Sequence, residues 1–186
     1  MSRFIDLNAD LGEGCGDDVG LMQIITSCNI ACGGHAGTPE TMRVAVDLAK
    51  THGVAVGAHP AFPDRENFGR EPLSMRGDVL QASLEAQIST LDRIAADFGL
   101  TLHHVKPHGA LYNIAAKDEG LAADVAKSLS QTLPGKYLVG PPNSELEIAA
   151  RAFSLGFIAE GFADRAYNID GSLRSRVLPG LSLIHI

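Results

Sequence analysis

No apolar run in the 186-residue chain approaches the roughly 18–20 residues needed to cross a bilayer. The start, MSRFIDLNADLGEG, carries one arginine and then acids, so it lacks a signal peptide's basic and apolar regions. Basic residues are scarce: 15 Lys and Arg against 22 Asp and Glu leave a formal charge of −7. That balance suits poorly a protein that grips phosphate backbones, which need clustered Lys and Arg. Only three cysteines occur, Cys15, Cys28 and Cys32, an odd number without a C-x-x-C pair. They support neither a disulfide framework nor a Cys-only zinc site and read as small hydrophobes or site-lining thiols. Also missing are GxxxxGK[ST], H-E-x-x-H and G-x-S-x-G, which removes the standard P-loop, zincin and α/β-hydrolase readings. With 45% hydrophobic residues the chain can still build a real core, so wholesale disorder is excluded. The expectation is one soluble, cytoplasmic domain.

Short β-rich runs alternate with amphipathic stretches. Strands are predicted over residues 4–8, within 24–32, and over 54–59, 101–106, 136–140 and 157–162. Thr38 can N-cap a helix with Pro39 at its first position, and Gly53 stops it. Between residues 78 and 98, Leu80, Leu84, Ile88, Leu91, Ile94 and Phe98 recur every three or four positions, the pattern of a long one-faced helix. More helical sequence occupies residues 111–129. Ser144 with Glu147 reads as a capping box opening a helix that Gly156 closes. Six strands joined mostly by helices argue for a parallel α/β sheet, either open and doubly wound or a (β/α) barrel.

The polar residues favour a site at the strand ends. Residues two apart in a strand share a face, so Asp6, Asn8 and Asp10 point one way, as do His104, Lys106 and His108. Parallel strands are normally covered on both faces and apolar throughout. Unpaired buried charge is costly, which points to a shared wet cavity where opposite charges pair. His35 follows the second strand, His59 ends the third, and Glu160, Asp164 and Arg165 end or follow the sixth. Active sites of (β/α) barrels lie at that end. Any one of these residues is equally well explained as a salt bridge tying loops together. The turn ACGGHAG (residues 31–37) runs into Thr38 and is either an anion cradle or a tight turn needing glycine. AHPAFPDRENFGR (58–70) is either a lid carrying Arg70 to a carboxylate or phosphate, or a solvated loop. His52 and His103 read as surface or packing residues.

Several long blocks resemble the LamB/YcsF family: IDLNADLGEG (5–14), SCNIACGGHAG (27–37), GVAVGAHPAFPD (53–64), FGR (68–70), HVKPHGALYN (104–113) and FADRAYNIDGSL (162–173). The resemblance implies a (β/α) barrel related to the metal-dependent deacetylase and glycoside hydrolase group. It implies the A component of an ATP-dependent 5-oxoprolinase, opening 5-oxo-L-proline to L-glutamate with ATP and Mg2+ alongside partner subunits B and C. The family's polar positions fall on Asp6, Asn8, Asp10, Glu13, Asn29, His35, His59, Arg70, Lys106, His108, Tyr112, Asn113, Glu160, Asp164 and Arg165. On this basis Asp10, His35, Lys106 and Glu160 are the expected catalytic residues, and Asp6, Asn8, His59, Arg70, His108 and Arg165 the expected substrate-binding residues. Asp10 or Glu160 would activate water if burial raises its pKa, and His35, His59 or His108 would shuttle protons.

Two other readings stand beside this one. The first is a stand-alone metal-dependent amidase or deacetylase: Asp10, His35 and His59 offer ligands for a divalent ion, though without a compact motif, so no metal is assigned. The second is a protein that binds substrate for its partners and performs no chemistry. The domain is expected to span residues 1–180. The last six residues, LSLIHI, depart from the family pattern and are a direct translation of CTGTCTCTTATACACATC, which looks like a transposase adapter. They read as a non-native tail on a chain cut short before its closing strands, leaving the barrel incomplete.

Overall fold

The computed structural model describes residues 5–169 and 173–174; the suspected tail, 181–186, lies outside them. Six strands, β1 (Asn8–Leu11), β2 (Ser27–Ala31), β3 (Ala55–His59), β4 (His104–Val105), β5 (Tyr137–Gly140) and β6 (Gly156–Ala159), lie side by side in sequence order. Every neighbouring pair is parallel. A doubly wound sheet reverses its strand order at a switch point. Here the order never reverses, so the sheet is a half-barrel with its helices along the crossovers.

Local chemistry explains most boundaries. Helix α1 (Asp18–Met22), which the sequence did not suggest, is capped by the Asp17 carboxylate on the Gly20 N–H. Helix α2 (Pro39–His52) starts with reciprocal Thr38–Thr41 capping and ends on left-handed Gly53 (φ 70°). Helix α3 (Gly77–Asp97) buries Leu80, Leu84, Ile88, Leu91 and Ile94, the stripe its periodicity predicts. Each such side chain contributes roughly 1.5–3 kcal/mol by leaving water.

Three expectations need correction. The first strand begins at Asn8, because the Asp6 carboxylate accepts from the hydroxyls of Thr26 and Ser27 before the ladder starts. The helical sequence expected over 111–129 runs wider and is broken in two, α4 (Gly109–Ala115) and α5 (Glu119–Thr132). Asp118 divides them by capping Leu121 while Arg76 grips its carboxylate at 2.7 and 2.8 Å. Helix α6 (Glu145–Ala152) is capped by Ser144, but Glu147 reaches back to the Asn143 N–H, and the left-handed residue past its end is Ser154, two before Gly156.

The core lies between sheet and helices, with Leu11, Ile30, Val56, Val105 and Leu138 from the strands meeting the apolar faces of α2, α3 and α5. Among the described residues no helix is long and apolar enough to cross a membrane.

Candidate active site at the strand ends

The opposite face of the sheet carries a polar ladder. Asn8 donates to Ser27 Oγ (2.7 Å), and Asn29 Nδ2 donates to both Asn8 Oδ1 and Asp10 Oδ1, the latter at 2.7 Å. His104 Nε2 lies 2.6 Å from Asn29 Oδ1. Only glycine at position 57 leaves room for that ring, since a Cβ there would overlap His104 Nε2. The ladder leads to Lys106, whose ammonium lies 3.3 Å from Asp10 Oδ1 and 3.0 Å from Glu160 Oε2. The ends of three strands, β1, β4 and β6, thus deliver one cation and two carboxylates to the same rim of the sheet.

A histidine cluster adjoins this triad. His59 Nε2 is 3.4 Å from Asp10 Oδ2 and 3.0 Å from His108 Nδ1. The His35 ring stacks on His108 with centroids 3.6 Å apart, and its Nε2 meets Glu13 Oε1 at 2.9 Å. Glu13, His35, His59 and His108 offer ligand atoms all within 4.8 Å of one another, a set that could hold a metal ion. The compact group therefore contains Glu13 and His108 in place of Asp10. Strand alternation could not single out Glu13, because β1 stops at Leu11 and a left-handed Gly12 (φ 72°) re-aims the residues after it.

Electrostatics sort these groups. Burial raises the Asp10 carboxyl, but His59, Lys106 and Asn29 outweigh it and hold the pKa well below the ordinary value. The condition under which Asp10 would activate water, a pKa raised by burial, is therefore not met. Burial lowers the His108 pKa to about 3, with His59 and His35 adding to the effect. His35 is lowered too, again first by burial. Burial opposes charge on Lys106, yet Asp10 and Glu160 raise its pKa. Among the described residues Glu160 Oε1 is buried without a hydrogen-bond partner.

A cleft of about 500 Å³ opens over this end, lined by Asp10, His59, Arg70, Lys106, His108, Tyr112, Asn113, Phe162 and Arg165 among others. Arg70 is exposed and stacks over Phe68, 4.9 Å from the ring centroid. Arg165 donates to the Arg174 carbonyl at 2.7 Å. Asp6 and Asn8 stand lower on the ladder, bonded to Thr26, Ser27 and Asn29, and away from the cleft lining.

The segment carrying Arg70 is not a free lid. Gln87 holds both the N–H and the carbonyl of Ala61, Phe62 is buried, and the Gly69 carbonyl accepts from Ala110. Nor does the glycine-rich turn form an open cradle. Gly33 N–H bonds to the Ala36 carbonyl, and Arg65 takes the carbonyls of Gly33 and Gly37. Gly37 (φ 88°) is required sterically, because a Cβ would overlap the Ala31 carbonyl. Cys28 and Cys32 are buried, and burial pushes their thiols up to about 12, so they pack as small hydrophobes.

His104 makes acid stability a readout of the ladder. Burial lowers its pKa to about 4, with His103, Lys106 and His59 acting in the same direction and Asp6 opposing. Above about pH 6.5 the ring is neutral folded or unfolded; as pH falls toward 4 the unfolded chain takes the proton first, and stability drops. The loss in unfolding free energy between pH 7 and pH 5 should be smaller by about 2 kcal/mol in His104→Gln than in the unmodified protein. Urea unfolding at the two pH values measures this, and identical losses would exclude His104 as the source.

Comparison with known proteins identifies the family and the fold. The profile of the LamB/YcsF family matches residues 5–185. The lactam utilization protein of Thermus thermophilus superposes with a TM-score of 0.93 at 41% identity, covering 98% of this chain and 76% of that one. A protein of Enterococcus faecalis named for cellobiose-phosphate cleavage shares 13% identity over 80% of this chain and 64% of its own. Its TM-score of 0.49 carries no argument. A profile match over nearly the whole length and a 41%-identical structure on the same frame place this sequence: the chain belongs to the LamB/YcsF family.

Proposed function

We propose that this chain is the A component of an ATP-dependent 5-oxoprolinase, opening the lactam of 5-oxo-L-proline to L-glutamate together with partner subunits B and C. The observation that carries the reading is the Asp10–Lys106–Glu160 triad, of which Asp10 and Lys106 line the cleft and Glu160 backs the ammonium, in a relative of a lactam utilization protein.

A five-membered lactam is a stable amide, and ATP would supply the activation its carbonyl needs. In the glycine-rich turn the Gly33 N–H is taken by the Ala36 carbonyl and Arg65 bridges the Gly33 and Gly37 carbonyls, so the turn is not an open anion cradle. Those features support placing the nucleotide on the partner subunits. This chain's part is to hold the ring and manage charge and protons. Lys106 is positioned to stabilise the oxygen on which negative charge develops. Arg70 and Arg165, on the cleft wall, suit the substrate carboxylate. Glu160, with one oxygen on Lys106 and the other unpartnered among the described residues, is the better candidate to orient and deprotonate water.

The test is glutamate release from 5-oxo-L-proline by this chain combined with subunits B and C. Release that requires ATP and all three proteins is expected. No ring opening by the full set would refute the reading. Undiminished amide hydrolysis by this chain alone, without ATP, would replace it with the metal-dependent amidase.

A further inference from the structure

We propose that Glu13, His35, His59 and His108 form a binding site for one first-row divalent transition-metal ion, with Zn2+ the best match. The inference rests on hydrogen bookkeeping around two imidazoles and stands whether or not the ring-opening reading holds.

His59 Nδ1 lies 2.7 Å from the Lys106 carbonyl oxygen, and His108 Nε2 lies 3.0 Å from the Phe68 carbonyl oxygen. A carbonyl only accepts, so each of these outer nitrogens must carry its ring's proton. The inner nitrogens, His59 Nε2 and His108 Nδ1, then face each other 3.0 Å apart as two lone pairs. Glu13 Oε1 brings a third acceptor, 3.4 Å from His108 Nδ1 and 3.9 Å from His59 Nε2. On its other side the same oxygen meets His35 Nε2 at 2.9 Å. His59 Nε2, His108 Nδ1 and Glu13 Oε1 thus converge without a donor between them and repel one another; a cation at their centre, with His35 Nε2 turned from donor to ligand, converts that repulsion into binding.

The spacing fits a metal ion. Ligand atoms set tetrahedrally at about 2.0–2.1 Å from zinc stand about 3.3 Å from one another; four of the pairs here measure 2.9, 3.0, 3.4 and 3.9 Å, and the whole set lies within 4.8 Å. For His59 and His108 the outer N–H groups bonded to backbone carbonyls fix tautomer and ring orientation, as the partners of metal-bound histidines do, while the His35 ring is held by stacking on His108. Three imidazoles and one carboxylate suit zinc or its first-row neighbours better than Mg2+ or Ca2+, which prefer all-oxygen shells. Charge agrees as well: Lys106 is taken by Asp10 and Glu160, so the Glu13 carboxylate is left facing imidazoles, where a divalent cation supplies its counter-charge.

The full chain, stripped with a chelator and titrated with Co2+, should bind one ion per chain. The ion should show the visible ligand-field bands of four- or five-coordination, and Zn2+ should displace it. Because losing even an orienting partner costs about 10–100-fold in metal affinity, His59→Gln and His108→Gln should each weaken binding by about 100-fold or more. His103→Gln, outside the cluster, should leave binding unchanged. Substoichiometric uptake, a purely octahedral spectrum, or equal binding by a Glu13→Gln/His59→Gln double variant would overturn the site and leave a shared proton as the cation. Should the histidine variants fail to fold, the spectrum and zinc competition of the unmodified chain decide alone. None of these readouts uses ring opening, so failure here is distinct from failure of the functional reading.

Discussion

Lys106→Met should lower ATP-dependent glutamate release by about 10³-fold, the scale expected when a preorganised charge at a developing oxyanion is removed. The same change should destabilise the fold by about 3–5 kcal/mol, because deleting one member of a buried ion pair strands the other. Two carboxylates are stranded here, Asp10 at 3.3 Å and Glu160 at 3.0 Å from the lost ammonium. Lys106→Arg should recover most of the stability while remaining impaired in turnover, since a planar fork cannot reproduce a point charge held between two single oxygens. Urea unfolding alongside turnover in the reconstituted complex separates the two effects. Near-normal turnover by a folded Lys106→Met protein would remove the ammonium from the chemistry.

The placement of Lys106 was legible in the sequence because polar residues at every second position of a parallel strand contradict the apolar rule. The same signal placed Asp10 and His104, and the helix stripe of α3 was readable from Leu80 to Ile94. What alternation could not deliver lies where the chain leaves regular structure. Glu13 comes after a left-handed glycine, and His35 sits in a turn whose shape depends on Arg65 reaching across from the loop after β3. Those positions are set by long-range contacts, which carry no periodicity. Similarly, Asp6 and Asn8 share the face of Asp10 but sit lower on the sheet, and a two-residue period says which face a side chain takes, not how near it stands to the rim. The reversal at Asp10 is a matter of magnitude: its burial and the gathering of His59 and Lys106 at one rim were foreseeable, whereas the Asn29 hydrogen bond and the close approach that lets these groups outweigh burial were not.

Asn29→Leu should cost about 3 kcal/mol or more, even though it places an apolar residue in the centre of a parallel sheet. The Asn29 side chain is fully buried and serves Asn8, Asp10 and His104 at once. Leaving a buried polar group unsatisfied costs about 1–3 kcal/mol, and here three lose a partner together. The change also reaches the register of β1 on β2, where Asn8 stands opposite Ser27 and Asp10 opposite Asn29. A one-residue slip would turn Leu11 out of the core and Asp10 into it, and the amide is part of what forbids that. A double-mutant cycle with His104→Leu should therefore show a coupling of at least about 1 kcal/mol, because the two side chains share one hydrogen bond and one polar network. The Asn29→Leu protein should also turn over more slowly, since Asp10 loses the donor that fixes its carboxylate beside Lys106. Additive effects on stability would mean that Asn29 and His104 are satisfied independently and that the ladder does not act as a unit; an Asn29→Leu protein as stable as the original would show that the sheet needs no polar spine to set its register.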